Sequence, residues 1–259
     1  MPQCRLCRQD RELRNSHIVP EFLYGDLYNS KHQMMGISGR GSKGWETLQK
    51  GIREHLFCEA CEQHFNEHFE KPFRKSWVEN CPLLDPWETE QVHWIKVDYA
   101  PFKLFHLSVL FRAGVSSLPT FAEVSLGPHE ERLRNMLLTR NAGPEDKYPI
   151  FGYAVVHHKT RRVVQMVSKA QASKFGGRRC YGIMYGGVQW WVCVASDRNH
   201  EFQQVALCHD GTMPFTAIPW NEIAAMQEAS EALRMQASNP SIERTHSGLW
   251  PPRSAHVKR

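Results

Sequence analysis

Two closely spaced pairs of cysteines are the clearest chemical feature of the sequence. Each pair has two residues between its cysteines, and roughly 50 residues separate the pairs, which are Cys4 with Cys7 and Cys58 with Cys61. Thiolates at this spacing are typical zinc ligands, and four of them complete a closed, tetrahedral structural site. We therefore predict one structural Zn²⁺ bound by these four cysteines, with four unligated thiols as the alternative.

The compartment in which the chain folds bears on this prediction. The sequence contains no run of about 18 apolar residues, and its first residues lack the apolar core of a secretory signal. We therefore expect a cytoplasmic protein with no membrane partner, and structural disulfides are rare in that reducing compartment. Four further cysteines are scattered singly, and we expect them in the core, where a free cysteine behaves as a small apolar residue: Cys81, Cys180, Cys193 and Cys208.

The positions of individual arginines indicate a binding partner more clearly than the net charge of the whole chain does. The formal net charge is +5, and residues 240–259 contribute most of it. Around the first cysteine pair, however, an arginine recurs at every third position, at Arg5, Arg8, Arg11 and Arg14. We predict that these guanidinium groups contact a nucleic-acid backbone, with a solvated charged surface as the alternative.

The order of the motifs in residues 4–70 resembles that of HNH endonucleases, the His-Me finger enzymes of the zinc-bound treble-clef type. A Cys-x2-Cys pair is followed by His-Ile-x-Pro at His17–Pro20, and then by Leu-x-Cys-x2-Cys and a polar residue that opens a helix at Leu56–Glu62. The segments Ser16–Phe22 and Leu56–Glu62 are most similar to a bacterial subgroup of HNH proteins. The segment Phe102–Ser116 is similar to the domain that follows in that subgroup.

The resemblance implies a site and a reaction. In the family, the histidine of His-Ile-x-Pro is the general base that activates water against a phosphodiester, so His17 would have that role. A pKa near neutrality suits the role, and a buried histidine that only makes structural hydrogen bonds is the alternative. The family's catalytic Mg²⁺ or other divalent ion is held by the residue before the histidine and the residue after the last cysteine. These residues are Ser16 and Glu62.

Ser16 departs from the aspartate that the family usually has, and a neutral hydroxyl is a poor ligand for a hard cation. Glu62 compensates in part, because a carboxylate supplies the anionic oxygen that Mg²⁺ prefers. Asn66 lies four residues later, and we expect its side chain on the same helix face as Glu62. His64 and His68 form a competing i, i+4 pair on a different face, where surface polar residues are the alternative.

We therefore expect a metal-dependent HNH-type endonuclease that hydrolyses phosphodiester bonds of DNA, or else of RNA, with His17, Glu62 and Asn66 as its catalytic residues. The departure at Ser16 favours a different class of protein, a zinc-stapled module that binds nucleic acid or protein without catalysis. A role in defence against phage is a third possibility, suggested only by what small HNH proteins often do.

Composition and hydrophobic patterning define the elements that must position these residues. With 41 % hydrophobic and 23 % charged residues, the chain is typical of globular proteins. We expect an α+β protein: a zinc-stapled ββα module of the treble-clef type over residues 1–80, then an antiparallel sheet with flanking helices over 92–237. Residues 238–259 are rich in Pro, Ser and charge, which predicts a flexible tail.

Several elements of the second region are predicted in more detail. Apolar spacing of three and four predicts a helix through residues 102–110 that ends near Gly114, and Pro128 predicts the start of another that runs through Leu137. Strands are predicted at 148–157, 161–168, and on both sides of a turn at Gly186–Gly187. A hairpin is predicted around Asp210–Gly211 between residues 205–208 and 213–218, followed by a helix containing Ile223, Met226 and Leu233. A polar loop is predicted at 36–44.

Overall fold

The computed structural model of the chain describes residues 1–37, 45–195, 202–223 and 227, and the side chains of 37, 45 and 46 are not part of that description. Most of the predicted loop at 36–44 lies outside these residues. So do Met226 and Leu233 of the last predicted helix, together with the whole predicted tail at 238–259. The described part of the chain is of the α+β class, as expected.

Two strands and a helix bring the cysteine pairs together. Strand β1 (Leu13–His17) pairs antiparallel with β4 (Arg53–Cys58), with Leu13 opposite Cys58 and His17 opposite Arg53. Helix α1 (Glu59–Phe65) begins directly after Cys58. Between β1 and β4, two 3₁₀ turns at Glu21–Leu23 and Gly25–Leu27 lead to a separate hairpin of β2 (Gln33–Ile37) and β3 (Trp45–Gln49). The second cysteine pair therefore lies at the junction of a strand and a helix.

The helical segment that begins at α1 continues to residue 79 with alternating pitch. Wider π-helical turns at Asn66–Glu70 and Arg74–Glu79 flank the short α2 (Lys71–Phe73). The cause is visible in the sequence, because an aromatic residue recurs at every fourth position and each is buried: Phe65, Phe69, Phe73 and Trp77. In an ideal α-helix a spacing of four drifts by about 40° per step. The π turns reduce this drift and keep the four rings on one side.

Helix α3 (Tyr99–Val115) packs against this aromatic row and confirms the predicted helix at 102–110. The rings of Phe73 and Phe105 stack with centroids 3.7 Å apart, and Phe111 stacks on Phe57 of β4 at 6.2 Å. Helix α4 (His129–Thr139) is also confirmed, and it ends at Arg140 in the left-handed conformation. The main cluster of buried apolar residues includes Cys4 and Phe215, so the N-terminal residues and the second region share a core.

The second region contains a five-stranded sheet. Its strands are β6 (Ile150–Val156), β7 (Gln171–Phe175), β8 (Arg178–Tyr185), β9 (Val188–Cys193) and β11 (Ala217–Pro219), in the order β11-β6-β9-β8-β7. The predicted turn at Gly186–Gly187 joins β8 to β9. The expectation of a wholly antiparallel sheet is wrong at one edge, where β11 runs parallel to β6.

Two other strand predictions are also wrong. Residues 161–168 do not form a strand but make one isolated bridge, between Val163 and Val156. The edge strand is β7 instead, because Gly176 and Gly177, both at positive φ, close a tight hairpin to β8. Around Asp210–Gly211 the expected hairpin does not form either: β10 (Thr212–Phe215) pairs with β5 (His93–Lys96), an arrangement in which Met213, Phe215 and Ile95 are buried.

Candidate functional site: a cysteine cluster beside a histidine–carboxylate cleft

The four paired cysteines meet at one point. Their sulfur atoms all lie within 4.8 Å of one another, and Cys7 Sγ is 3.8 Å from Cys58 Sγ. A tetrahedral site with Zn–S bonds of 2.3 Å requires sulfur atoms about 3.8 Å apart. Backbone hydrogen bonds shape the first pair into a turn, since Arg8 N–H donates to Cys4 O at 2.9 Å and Cys58 N–H donates to Cys4 Sγ at 3.4 Å. The cluster can hold a metal ion such as zinc.

The pKa values of the cysteines also fit a metal site at the cluster. A hydrogen bond with Cys61 lowers the pKa of Cys4 to about 4, against the opposing effect of burial. The same contact, together with burial, raises the pKa of Cys61. One negative charge is thus stabilised by the neighbouring thiols, while a second thiolate is strongly disfavoured. A divalent cation would remove this penalty, because it binds and deprotonates thiols.

A cleft of about 480 Å³ lies beside the cysteine cluster, and its walls come from several parts of the chain. The end of β1, the first 3₁₀ turn and the helical segment 59–79 contribute most of the lining, and α3 contributes Arg112. The polar residues that line it are His17, Glu21, Tyr28, His32, Glu62, Glu70, Arg74 and Arg112. The predicted residues His17 and Glu62 therefore share one cleft.

His17 ends β1, and its ring meets a carboxylate that was not predicted. Its Nε2 contacts Oε2 of Glu21, four residues later. Burial lowers the pKa of His17, although the charge of Glu21 acts in the opposite direction. The pKa of Glu21 is lowered as well, because a hydrogen bond from Tyr28 and the charge of His17 outweigh its burial. His17 is accordingly neutral at pH 7 and able to accept a proton.

The hydroxyl of Ser16 is engaged in the backbone of the β1–β4 pair. Only 2 % of the residue is exposed; its Oγ donates to Arg14 O at 3.2 Å and accepts from Phe57 N–H at 3.3 Å. These bonds bridge the irregularity in register between Arg14 and Asn15. Ser16 is therefore a structural residue of the pair. Its side chain also forms a hydrogen bond with Glu62, and its role in binding a catalytic metal stays a prediction.

Glu62 lines the cleft, and Ser16 is a hydrogen-bond partner of its carboxylate. Its Oε1 is buried, and no hydrogen-bond partner for it is found among the described residues. Burial raises the pKa of Glu62, against the opposing effect of the Arg112 charge. Asn66 does not join it: the residue is exposed and is not part of the cleft lining. Glu70 faces the cleft instead, because the π turns rotate it towards the side of Glu62.

Arg112 links the walls of the cleft. Its guanidinium group forms an ion pair with Glu70, donates to His17 O at 3.1 Å and lies 4.4 Å from the ring centroid of Phe65. The side chain is 1 % exposed, which makes it one of the largest fully buried side chains described. A charge so deeply buried must be paired. Arg112 thereby fixes the backbone at His17 relative to the helical segment.

The predicted arginines and the histidine pair lie elsewhere. Arg5, Arg8, Arg11 and Arg14 are all exposed, but Arg8 pairs with Glu131 and Arg14 pairs with Glu59 at 2.7 Å. Part of the predicted basic surface is thus already neutralised. In the histidine pair, His64 Nε2 lies 2.8 Å from Leu137 O, which ties α1 to α4. His68 packs against His64 with ring centroids 4.9 Å apart.

Sequence reasoning missed Glu21, Glu70 and Arg112. Glu21 was detectable, because its spacing of four from His17 puts it within reach if the chain turns at Pro20. Glu70 was not, because its position depends on π turns that a regular helix does not have. For Arg112 the available signal is a charged residue within an otherwise apolar helix, although nothing in the sequence says where it points.

Comparison with known proteins gives no relative: no protein-family model, curated protein or solved structure matches the chain. Within the described residues, no helix is both long and apolar enough to cross a membrane.

Proposed function

We propose that the chain is a metal-dependent endonuclease of the HNH type, which hydrolyses phosphodiester bonds of DNA or, as second choice, RNA. The observation that supports this most strongly is that His17, Glu62 and Glu70 line one cleft beside the four-cysteine cluster. An antiparallel strand pair followed at once by a helix is also the order of elements in the treble-clef nucleases that the motifs resemble.

In this proposal the four cysteines bind a structural zinc ion. Their sulfur separations fit a tetrahedral Zn²⁺ site, and the four thiols leave no open position for a substrate. The metal would hold the turn at Cys4–Cys7 against the start of α1. It would thereby fix His17 on one side of the cleft and Glu62 on the other.

A second, divalent cation fits the carboxylates of the cleft. Within the part of the chain that the structure describes, Glu62 Oε1 is buried without a partner, and Glu70 supplies a second carboxylate on the same wall. Mg²⁺ or Mn²⁺ prefers such anionic oxygen ligands, and when bound it would stabilise the negative charge that develops on the phosphate and on the leaving oxygen. Glu70 replaces Asn66 of the sequence prediction here, because Asn66 is exposed.

The remaining residues would bind and activate the other reactants. Neutral His17 accepts a proton from the water molecule that attacks phosphorus, and the leaving oxygen takes its proton from solvent. Arg74 lines the cleft with an exposed side chain and provides positive charge for the phosphate. The size of the cleft lies within the range of small-molecule sites, which is enough for one nucleotide unit.

One observation favours the alternative function, a zinc-stapled module that binds nucleic acid or protein without cleaving it. Arg112 already pairs with Glu70, so that a resident cation neutralises one of the two carboxylates proposed for metal binding. The hydroxyl of Ser16 is likewise engaged in the β1–β4 pair. A protein with these features would bind its partner but show no divalent-dependent cleavage.

A cleavage assay separates the two functions. Purified protein with Mg²⁺ or Mn²⁺ is incubated with double-stranded DNA, single-stranded DNA and RNA, and His17→Ala is compared with His64→Ala, which removes a histidine outside the cleft. We expect His17→Ala to lower the rate by about 10²–10⁴-fold and His64→Ala to retain activity. Tight binding without cleavage of any substrate would support the alternative, and cleavage unaffected by His17→Ala would refute the mechanism.

A further inference from the structure

The carboxylate of Glu21 is held between three side chains at the edge of the cleft. Its Oε2 contacts His17 Nε2, and its Oε1 accepts a hydrogen bond from Tyr28 Oη at 2.8 Å. His32 Nε2 lies 3.6 Å from the same Oε1, and its ring stacks on that of Tyr28 with centroids 4.0 Å apart. Glu21 is thus oriented from one side while it contacts His17 on the other.

The backbone explains why this carboxylate reaches the histidine. Ile18 and Val19 are fully buried, which anchors the chain just after β1. Pro20, with φ near −55°, then starts the 3₁₀ turn, which is closed by a hydrogen bond from Leu23 N–H to Pro20 O at 3.0 Å. The turn directs the chain back, so that Glu21 at the first position of the turn faces the ring of the residue four positions earlier.

The contact between His17 and Glu21 joins two buried atoms. His17 Nε2 and Glu21 Oε2 are both buried and contact each other as an ion pair, and in the described part of the chain neither atom has a hydrogen-bond partner elsewhere. In contrast, 24 % of the His17 side chain is exposed, so another part of the ring reaches the cleft. A neutral imidazole carries one proton, and its acceptor decides which nitrogen keeps it.

We propose that Glu21 is the positioning residue of His17: it accepts the Nε2–H hydrogen bond, fixes the ring in one tautomer and leaves the Nδ1 lone pair directed at the substrate side. This inference rests on the proposed function, because it assigns a partner to the proposed general base. Carboxylates that orient a catalytic imidazole have this role in other enzymes. The proton from the attacking water then goes to Nδ1, while Glu21 stabilises the resulting imidazolium.

The division of roles among the acidic residues supports this assignment. Both oxygens of Glu21 have protein partners, namely His17 and Tyr28. Oε1 of Glu62 is buried without any partner among the described residues. Glu21 is therefore the carboxylate suited to hold a side chain, and Glu62 is the carboxylate that remains available to a cation.

The test combines histidine ¹⁵N NMR with kinetics on the full-length, zinc-loaded protein. In the wild type, the ¹⁵N shifts of His17 should show the Nε2–H tautomer. Glu21→Ala should convert this to a mixture of tautomers and lower kcat by about 10–100-fold, with KM and zinc content unchanged. The isosteric Glu21→Gln, whose amide oxygen still accepts a hydrogen bond, should retain the tautomer and recover part of kcat. The control Glu131→Gln removes a carboxylate that pairs with Arg8 and Arg134 outside the cleft.

The outcomes separate this inference from the proposed function. An Nδ1–H tautomer in the wild type overturns the inference, as does a Glu21→Ala variant with unchanged kcat or unchanged tautomer. If Glu21→Ala does not fold, the wild-type spectrum and Glu21→Gln decide in its place. If the wild type cleaves no substrate, the proposed function fails, while the tautomer shift in Glu21→Ala still decides whether Glu21 positions His17.

Discussion

The cysteine cluster and the adjacent cleft are built in opposite ways. The cluster takes all its members from two short motifs, each of which is a local turn or a strand–helix junction. The cleft takes His17 from the end of β1, Glu62 and Glu70 from the helical segment, and Arg112 from α3, 95 residues away from His17. Each half of the cluster is thus specified by local sequence, and the β1–β4 pair brings the two halves together, whereas the cleft depends on the packing of β1, the helical segment and α3.

The cysteine cluster and the cleft also differ in whether their polar atoms have partners. The four sulfur atoms contact one another and form a closed group, as in structural metal sites. In the cleft, Glu62 Oε1 is buried without a partner among the described residues, and the cleft of about 480 Å³ is open to a ligand. Closed groups stabilise a fold, while unsatisfied buried atoms beside a cavity mark a place where a ligand completes the structure.

The largest expected effect follows from breaking the cluster. Cys58→Ala removes one of four ligands and should unfold residues 1–80, because structural zinc contributes about 10–16 kcal/mol of apparent binding free energy in small zinc-binding domains. Zinc content by metal analysis should fall well below one ion per chain, and circular dichroism should show lost structure. Cys208→Ala, which removes a cysteine outside the cluster, should keep the zinc. Equal zinc in both variants would disprove the assignment.

A smaller effect is expected from the ion pair that connects the cleft walls. Arg112→Met leaves the carboxylate of Glu70 without its partner, and breaking a buried pair in this way typically costs about 3–5 kcal/mol. Glu70 is 18 % exposed, so the lower end of that range is expected. Arg14→Met breaks an exposed pair with Glu59 on the same helical segment and should cost less than about 1 kcal/mol.

Urea unfolding of both arginine variants measures this difference. The double variant Arg112→Met with Glu70→Gln should recover part of the lost stability, since it removes the unpaired charge. Equal losses in the free energy of unfolding for Arg112→Met and Arg14→Met would mean that the buried guanidinium does not stabilise the walls of the cleft.

This contrast also explains how much the sequence could predict. The cysteine spacing, helices α3 and α4 and the turn at Gly186–Gly187 depend on local signals, and the structure agrees with each of them. Asn66 N–H bonds to Glu62 O as in a regular helix, yet the Asn66 side chain is exposed, and the π turns that begin at Asn66 bring Glu70 to the cleft wall of Glu62 instead. Arg112 could not be placed, because its position depends on the packing of α3 against residues of a distant part of the chain.

The sheet provides a second example of the same limit. Gly176 and Gly177, both at positive φ, form a hairpin turn that the sequence analysis does not predict, and the edge strand lies at Gln171–Phe175 instead of at residues 161–168. The chain does turn at Asp210–Gly211 as predicted, yet β10 pairs with β5, more than 100 residues earlier. Local patterns indicate where a strand is favoured, while burial of Met213 and Phe215 decides its partner.

The smallest expected effect concerns metal affinity of the cleft. Glu62→Gln should weaken Mn²⁺ binding by about 10-fold or more, because it removes an anionic oxygen ligand. Asn66→Ala should leave Mn²⁺ binding unchanged, since this side chain is exposed outside the cleft. Isothermal titration calorimetry of the zinc-loaded proteins measures both affinities. If Asn66→Ala weakened binding as much as Glu62→Gln, the ligand set predicted from the sequence would be restored.

The most direct measurement is a crystal structure of the zinc-loaded protein soaked in Mn²⁺, with anomalous diffraction collected at the zinc and manganese absorption edges. The central claim is that one closed metal site and one open metal site lie side by side. It predicts a zinc peak among the four cysteines and a separate manganese peak in contact with Glu62 and Glu70, on the side of the cleft that His17 faces. A zinc peak with no manganese in the cleft would contradict the catalytic half of this claim.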